Sequence, residues 1–387
     1  MPDGLHTLTI SGALARAATI AERCARNAAA IDQEGAFPVD EFAWIAEAGL
    51  LAAPLHRTLG GPGLGTEAGS TLALLLLLKQ IGRGNLAVGR VYEGHINALQ
   101  LIQTFGTAQQ QTMYAADAHH CKLFGVWNTE AADGVKIFPV NGRYRLEGAK
   151  TFASGAGYVE RPMVNGVLPD GGWQMCIVPM DRVQVEIDPS WWQVSGMRAS
   201  ASYRVDFSGV ELEPEELIGA PGDYYRQPWL TGGVIRFAAV QLGAAEALLD
   251  AARDYLQGRG WTGDPYQRAR MAEAAIAVES GNLWLRGAAP RADRLLLEGD
   301  CVDPQAYVAY ANMVRTAIEK VCLDVLGLVE RSVGARGLLK PHPFERIGRD
   351  LTLYLRQPAP DAALADVGRH VLERTTPVSA LWSDDNF

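Results

Sequence analysis

The stretch GRYRLEGAKTFASGAGYVERPMV, from Gly142 to Val164, decides the fold of this chain. It begins directly after Asn141, and the pair Asn141-Gly142 separates KIFPV from RYRLEG, two runs rich in β-branched and aromatic residues. Asn-Gly is favoured at the tip of a two-residue hairpin because both residues tolerate positive φ. The stretch therefore predicts a β-hairpin within a compact β domain.

Short β-rich runs continue on both sides of this hairpin, whereas the rest of the chain shows helical patterns. We divide the chain into an N-terminal helical domain (1–120), a middle β domain (121–222) and a C-terminal helical bundle (223–387). Segregated blocks of helices and strands predict an α+β fold with a β-barrel-like middle domain and a four-helix bundle. They exclude a doubly wound sheet, and no G-x-G-x-x-G turn joins a strand to a helix.

The helices have recognisable boundaries. In the N-terminal domain, the long apolar stretch from Thr66 to Ile81 predicts a helix buried on most sides. Gly106-Thr107 predicts a turn and cap before a helix over Ala108–Ala118. In the C-terminal block we expect helices over about 230–258, 265–298, 304–331 and 361–374.

The composition is that of a globular protein that binds neither nucleic acid nor membrane. Of 387 residues, 48% are hydrophobic and 20% charged, and 35 Lys+Arg against 44 Asp+Glu give a net charge of −9. Polyanions need a dense basic surface, which this chain lacks. The apolar run Leu72–Leu78 is far shorter than the roughly 20 residues of a membrane span. Scattered cysteines without a CxxC pair, and histidines without ligand spacing, predict reduced thiols in a cytoplasmic protein and no metal site.

Four motifs in this order resemble the acyl-CoA dehydrogenase superfamily of flavoproteins. They are FPVDEFAWIAEAGLLAAPLHRTLGGPGLG (Phe37–Gly65), GVWNTEAADG (Gly125–Gly134), the stretch Gly142–Val164 and SGMRASASYRVDFSGVELEPEELIG (Ser195–Gly219). The resemblance covers nearly the whole chain and implies an FAD cofactor in the cleft between β domain and bundle. It places five residues against the flavin ring: Val126, Asn128, Thr129, Phe152 and Ser154. A planar redox-active ring needs an apolar face and a few polar groups at its edge, and these residue types offer both.

Two arginines match family positions that hold the cofactor's phosphates. Arg259, in YLQGRGWTG, looks like the arginine that reaches the FAD pyrophosphate of a neighbouring subunit. Arg331 stands where a glutamine commonly contacts the same group. A guanidinium suits phosphate through charge-assisted, bidentate hydrogen bonds. The resemblance also implies a homodimer or homotetramer assembled through the bundle.

The carboxylate base of an acyl-CoA dehydrogenase is missing from both places where the family carries it. Counting nine residues from Arg349 reaches Pro358, and the alternative place, on the first C-terminal helix, is Ile235. Neither side chain is a carboxylate, and proline also lacks the N–H that polarises the thioester carbonyl. Asp361, three residues past Pro358, is either a base in a shifted loop or the N-cap of the last helix.

The preferred hypothesis is an FAD-dependent oxidoreductase acting on the CH–CH group of an acyl thioester such as an acyl-CoA. The sequence identifies neither the acyl chain nor the electron acceptor. Ala131 stands where the family has proline, and the loop that normally touches the thioester is reduced to 132–134.

Two other hypotheses remain open. One is a two-component monooxygenase of the same fold, which uses reduced flavin and oxygen and needs no such carboxylate. His95 would then be a donor near the flavin, against the competing interpretation of a buried, hydrogen-bonded structural histidine. The other is a flavin- or thioester-binding protein without catalytic activity.

Overall fold

The computed structural model describes residues 8–298, 303–356 and 359–382, and has the predicted order of helices, strands and helices. The N-terminal part consists of α1 (Ile10–Asn27), α2 (Val39–Glu47), α3 (Thr71–Gly84), α4 (Leu86–Phe105) and α5 (Ala108–His119). Thr107 caps α5 through a capping box with Gln110, as its sequence predicted. Asn85 ends α3 and caps α4 by accepting hydrogen bonds from two backbone amides of its first turn.

The middle part holds ten strands in two sheets. They are β1 (Phe124–Trp127), β2 (Lys136–Val140), β3 (Arg143–Glu147), β4 (Ala149–Ala153), β5 (Arg161–Val167), β6 (Trp173–Ile177), β7 (Glu186–Asp188), β8 (Tyr203–Asp206), β9 (Glu211–Leu212) and β10 (Leu217–Ile218). The larger sheet has the order β10-β6-β5-β2-β3-β9, with β1 parallel to β5, and the smaller sheet has the order β4-β8-β7. Asn141 and Gly142 both adopt positive φ and join β2 to β3, which confirms the predicted hairpin.

The C-terminal part is helical from α6 (Val234–Gly258) through α7 (Pro265–Glu298), α8 (Pro304–Gly337), α9 (Phe344–Tyr354), α10 (Pro360–Glu373) and α11 (Val378–Leu381). The sequence did not predict α9, and α8 continues past its predicted end, with a break at Gly334 (φ 59°). Helix α6 is long and apolar enough to cross a membrane, but 72% of its most apolar window is buried inside the fold. Such burial is typical of a core helix.

The first helical part is joined to the bundle through α3 and α6. A Cβ on Gly82 would lie 2.3 Å from the carbonyl oxygen of Val240, and one on Gly243 would lie 2.1 Å from that of Lys79. Only glycine fits such an approach of two backbones. Two ion pairs, Lys79–Glu246 and Arg83–Asp250, each 2.7 Å, flank it. The N-terminal helices and the bundle therefore share one apolar core.

The β part is fixed to the bundle at a second contact. Asp350 of α9 accepts a hydrogen bond of 2.6 Å from the backbone amide of Met197, in the loop before β8. Burial raises the pKa of this carboxyl to about 6, partly offset by that hydrogen bond. The loop carrying the GMRASAS motif is thereby held at a fixed position beside the helices.

Candidate functional site

The ends of β1 and β4 meet at a shelf formed by residues that the sequence predicted to contact flavin. The backbone amide of Thr151 donates to the carbonyl of Thr129 (2.8 Å), and the indole N–H of Trp127 donates to the carbonyl of Ser154 (2.9 Å). These two bonds link the end of β1 to β4 and so bring Thr129 close to the segment that carries Phe152 and Ser154.

Phe152 supplies the apolar surface of this shelf. A register shift between Lys150 and Ala153 interrupts the pairing of β4 with β8, and Phe152 adopts φ 52° there. Its ring is 39% exposed in an otherwise buried strand. The edges of Trp191 and Trp192 support it at centroid distances of 4.8 and 5.8 Å. A non-glycine residue at positive φ costs free energy and is found mostly where the surrounding structure requires it, often at functional sites.

Three buried serine hydroxyls form a chain that begins at Ser154, two residues after Phe152. Ser154 Oγ is 2.8 Å from Ser202 Oγ, which is 2.7 Å from Ser200 Oγ. The backbone amide of Gly155 also donates to the carbonyl of Ser200 (2.9 Å). The chain fixes the Ser154 side chain. Ser200 and Ser202 are not among the site residues predicted from the sequence, although the S-x-S spacing after GMR is a signal for them.

The polar edge of the shelf is formed by the residues that follow β1. The Asn128 side-chain oxygen accepts from Asn165 Nδ2 (3.1 Å) and from the Tyr225 hydroxyl (3.2 Å). Buried Lys150 donates to the backbone carbonyl of Asn128 (3.2 Å) and to Glu130 (2.6 Å). Burial lowers the pKa of this lysine, and its hydrogen bond to Glu130 opposes that shift. Within the described ranges, Asn128 Nδ2 and the Thr129 hydroxyl have no hydrogen-bond partner, so both can serve a ligand.

A cavity of about 390 Å³ lies between α3, α4, the start of α6, the end of α7 and the start of α8. Val126 of the shelf and Trp229 of the cavity wall pack on one apolar cluster. The segment containing Tyr225, which bonds Asn128, leads directly to Pro228 and Trp229. The lining residues are His56, Gly65, Thr66, Thr71, Leu74, Leu75, Asn97, Gln100, Leu101, Gln103, Thr104, Pro228, Trp229, Gly232, Gly233, Ile235, Arg236, Ala292, Leu295, Leu296 and Tyr307.

The cavity wall includes the position on α6 that the family resemblance predicts for the catalytic carboxylate of some acyl-CoA dehydrogenases. Ile235 occupies it and is 3% exposed. Arg236 follows and donates through Nε to Glu93 Oε1 at 3.0 Å. No Asp or Glu stands among the lining residues in the described part of the chain. Pro358, the other position, lies outside the described residues.

His95 and Asp361, the two residues proposed from sequence as catalytic, lie in different environments. His95 is fully buried on α4, where Nε2 donates to the Leu51 carbonyl (2.8 Å) and Nδ1 accepts from the Phe124 amide (3.1 Å). Burial lowers its pKa to about 4, so the ring is neutral. This is the geometry that the structural interpretation predicted, because both ring nitrogens are occupied by backbone groups.

Asp361 is exposed in the first turn of α10, a helix that packs against α8. The N-cap of that helix is Ala359, not Asp361, and the helix has no side-chain cap. The predicted capping role was therefore wrong. An acid in the first turn still interacts favourably with the helix dipole.

Arg259 and Arg331 are exposed on the surface of the bundle. The Arg259 guanidinium lies over the rings of Tyr255 (4.8 Å) and Trp261 (5.6 Å). Next to Arg331, Ser332 accepts hydrogen bonds from side chains near the start of α7, the helix that follows the Arg259 turn. The phosphate contacts of both arginines, including the contact of Arg259 with a cofactor on a neighbouring subunit, stay predictions.

Comparison with known proteins gives two kinds of match. Family models of the acyl-CoA dehydrogenase N-terminal and C-terminal domains match residues 14–118 and 235–355. Dibenzothiophene monooxygenase of Rhodococcus erythropolis is 26% identical over 397 residues, 94% of each chain. The mitochondrial short-chain specific acyl-CoA dehydrogenase of Bos taurus is 25% identical, covering 84% of this chain and 80% of its own. The crystal structure of FMN-bound TdsC from Paenibacillus sp. A11-2 has a TM-score of 0.84 at 23% identity, covering 96% of this chain and 100% of that one.

Proposed function

We propose that this chain, which belongs to the acyl-CoA dehydrogenase superfamily, is a flavin-dependent monooxygenase supplied with reduced flavin by a separate reductase. The observation that carries the proposal is the absence of an acid among the described residues that line the cavity. Removing the α-proton of an acyl thioester requires a base within hydrogen-bond reach, and Ile235 cannot serve as one. Insertion of an oxygen atom does not require such a base. Dehydrogenation of an acyl thioester, the hypothesis preferred from sequence, therefore has weaker support than its alternative.

The relatives support the same choice. The dibenzothiophene monooxygenase of R. erythropolis matches 94% of this chain, against 84% for the bovine dehydrogenase. The substrate of that relative is a flat aromatic molecule, and the cavity here is mainly apolar. Its volume of about 390 Å³ lies within the roughly 300–1,000 Å³ usual for small-molecule pockets.

The residues of the shelf fit a flavin. A flavin needs a flat apolar contact and polar groups at its heteroatom edge. The half-exposed Phe152 ring provides the first, and the unpartnered Asn128 Nδ2 and Thr129 hydroxyl, together with Ser154, provide the second. A bound reduced flavin would supply the two electrons needed to activate O₂. The expected FAD and the FMN seen in TdsC share this ring, so the shelf would hold the ring of either cofactor.

The chain's own groups would position the reactants and exclude water. One oxygen atom of O₂ enters the substrate and the other leaves as water, with two electrons from the reduced flavin and two protons. Phe152, Trp191 and Trp192 would shield one side of the shelf from solvent. Ser154 would hold a proton at Oγ that it can donate, because Ser202 orients its hydroxyl. Low polarity around these groups strengthens each hydrogen bond.

The test is an oxygen-labelling experiment. The protein is mixed with FMN or FAD, NADH and an unrelated flavin reductase under ¹⁸O₂, with dibenzothiophene and indole as substrates. We expect one ¹⁸O atom in the product and no turnover when reductase is omitted. Anaerobic conversion of butyryl-CoA to its enoyl product would overturn the proposal in favour of dehydrogenation. Flavin binding with neither reaction would favour the third hypothesis, a binding protein.

A further inference from the structure

We propose that the cavity selects a substrate that carries an anionic group on an apolar body, and that Arg236 is the residue that binds this group. The inference rests on the proposed function for the reaction that follows binding, but it concerns the recognition step alone. It is based on the hydrogen bond that Arg236 donates through Nε and on the two Nη atoms that have no partner among the described residues.

Arg236 presents unused donors to the cavity. In the described part of the chain, its side chain donates one hydrogen bond, from Nε to Glu93 Oε1 at 3.0 Å. Within the described residues, its two Nη atoms have no partner, although the side chain is only 13% exposed and lines the cavity. A guanidinium with both Nη atoms available can bind a carboxylate or a similar oxyanion through two parallel hydrogen bonds.

The charge around Arg236 is unbalanced. Glu93 is 7% exposed and is shared between Arg236 and Arg90, whose Nη1 lies 3.3 Å from Glu93 Oε2. Two guanidinium groups and one carboxylate leave one positive charge in excess, and the buried Arg90 Nε has no hydrogen-bond partner. On the wall where α3 meets α7, Asp293 accepts from the Thr71 amide (3.1 Å) and, like Arg236, acts electrostatically on the lining residue Tyr307, but among the described contacts it forms no ion pair with Arg236. An anion in the cavity would therefore compensate a charge that the described lining residues leave uncompensated.

Gly233 provides the space for this guanidinium. A Cβ at Gly233 would lie 2.5 Å from Arg236 Nη2, so a larger residue there would displace the end of this side chain. The small residue thus lets the charged group lie against the turn that begins α6. The remaining lining combines aliphatic and aromatic residues, including Leu74, Leu295 and Trp229, with polar ones such as Asn97 and Gln100, so the rest of the ligand should be uncharged and mainly apolar.

The experiment compares two probes of equal shape and different charge, 1-naphthoate and 1-naphthamide, by calorimetric titration of the flavin-loaded protein at pH 7.5. We expect wild type to bind the anion about tenfold more tightly or better, as hydrogen bonds between charged partners predict. Arg236→Gln should remove this preference. Arg236→Lys keeps the charge but lacks the planar fork, and should retain part of it. Arg143→Gln, which removes an exposed arginine on β3, is the matched control and should bind both probes as wild type does.

Equal affinity for the two probes in wild type, or an unchanged preference in Arg236→Gln, would overturn the proposal. If Arg236→Gln fails to fold because Glu93 loses a partner, the double variant Glu93→Gln/Arg236→Gln removes both charges. It should likewise show no preference for 1-naphthoate over 1-naphthamide. Failure of the proposed function would be seen separately. If the protein prefers naphthoate but incorporates no ¹⁸O, the result supports the anion site and overturns the proposed monooxygenase function.

Discussion

Ser154 Oγ and Ser202 Oγ lie 2.8 Å apart, although 48 residues separate them in the chain. The contact joins the strand that presents Phe152 to the loop that Asp350 holds against the bundle. The shelf for a flavin ring is thus fixed on two sides, by the β part and by the helices. Pre-positioned groups of this kind bind and orient a cofactor without a further cost of ordering them.

Ser154→Ala should weaken the proposed reaction more than it weakens flavin binding. The variant removes one proton donor at the shelf but leaves the Phe152 surface intact. We expect flavin affinity to fall severalfold at most, and product formation per flavin oxidised to fall about tenfold or more. Substrate and hydrogen peroxide assays, run together, measure this uncoupling. Ser190→Ala, on an exposed serine, is the control, and equal coupling in both variants would exclude a donor role for Ser154.

Phe152→Ala should weaken flavin binding itself. The ring is the exposed apolar surface of the shelf, and burying it under a flavin contributes roughly 1–2 kcal/mol, which is about a five- to thirtyfold change in Kd. Flavin fluorescence quenching on titration gives this number. Phe138→Ala, a similarly exposed phenylalanine on β2, should leave the Kd unchanged. If both variants bind flavin like wild type, the shelf is not the flavin site.

Arg259→Gln should affect the binding of FAD and of FMN differently. If Arg259 reaches the pyrophosphate of a cofactor bound to a neighbouring subunit, the variant should lose FAD affinity about tenfold and keep FMN affinity, because FMN lacks that group. Equilibrium dialysis with each flavin measures this, and light scattering of the same samples gives the expected dimer or tetramer. An equal loss for both flavins, or none for FAD, would contradict the predicted role.

His95→Gln should alter stability and its pH dependence. In the folded protein the pKa of His95 is lowered to about 4 from 6.5. Between these values the unfolded chain binds the extra proton, so the contribution of His95 is complete above pH 6.5 and is lost as the pH falls toward 4. The variant should unfold with about 1–3 kcal/mol less free energy at pH 7.5, and the difference from wild type should shrink at pH 5.

Urea denaturation of wild type and variant at both pH values tests this. The contributions of other titrating groups to the free energy of unfolding cancel when the two proteins are compared. Asp350 is one of them, with the opposite sign, because its raised pKa favours the folded state as the pH falls. His119→Gln is the control, an exposed histidine that also contacts a backbone carbonyl. Lost turnover without lost stability in His95→Gln would instead support a catalytic histidine.

Asp361→Ala should leave turnover unchanged. The carboxylate is exposed in the first turn of α10, so we expect a loss of less than about 1 kcal/mol in the free energy of unfolding from the helix dipole. Steady-state kinetics with the labelled-oxygen assay check it. A variant that folds but has no activity would restore Asp361 as a base.

The sequence alone determined the order of the helical and β parts, the Asn141-Gly142 hairpin, the Thr107 cap and the family resemblance. These features depend on periodicity and on turn or capping chemistry, which act between residues a few positions apart. For the same reason, the motif around Phe152 could be recognised before its geometry was known.

Only the tertiary structure decided how the site is built. The positive φ of Phe152 occurs where the pairing of β4 with β8 is irregular. Ser202 contacts Ser154, which is 48 positions away in the chain, and His95 contacts Leu51, which is 44 positions away. The Arg236–Glu93 pair joins residues 143 positions apart, on helices whose approach no local pattern specifies. Long-range contacts follow from how the packed elements fit together. The charge of the cavity and the orientation of the shelf therefore became visible only in the folded chain.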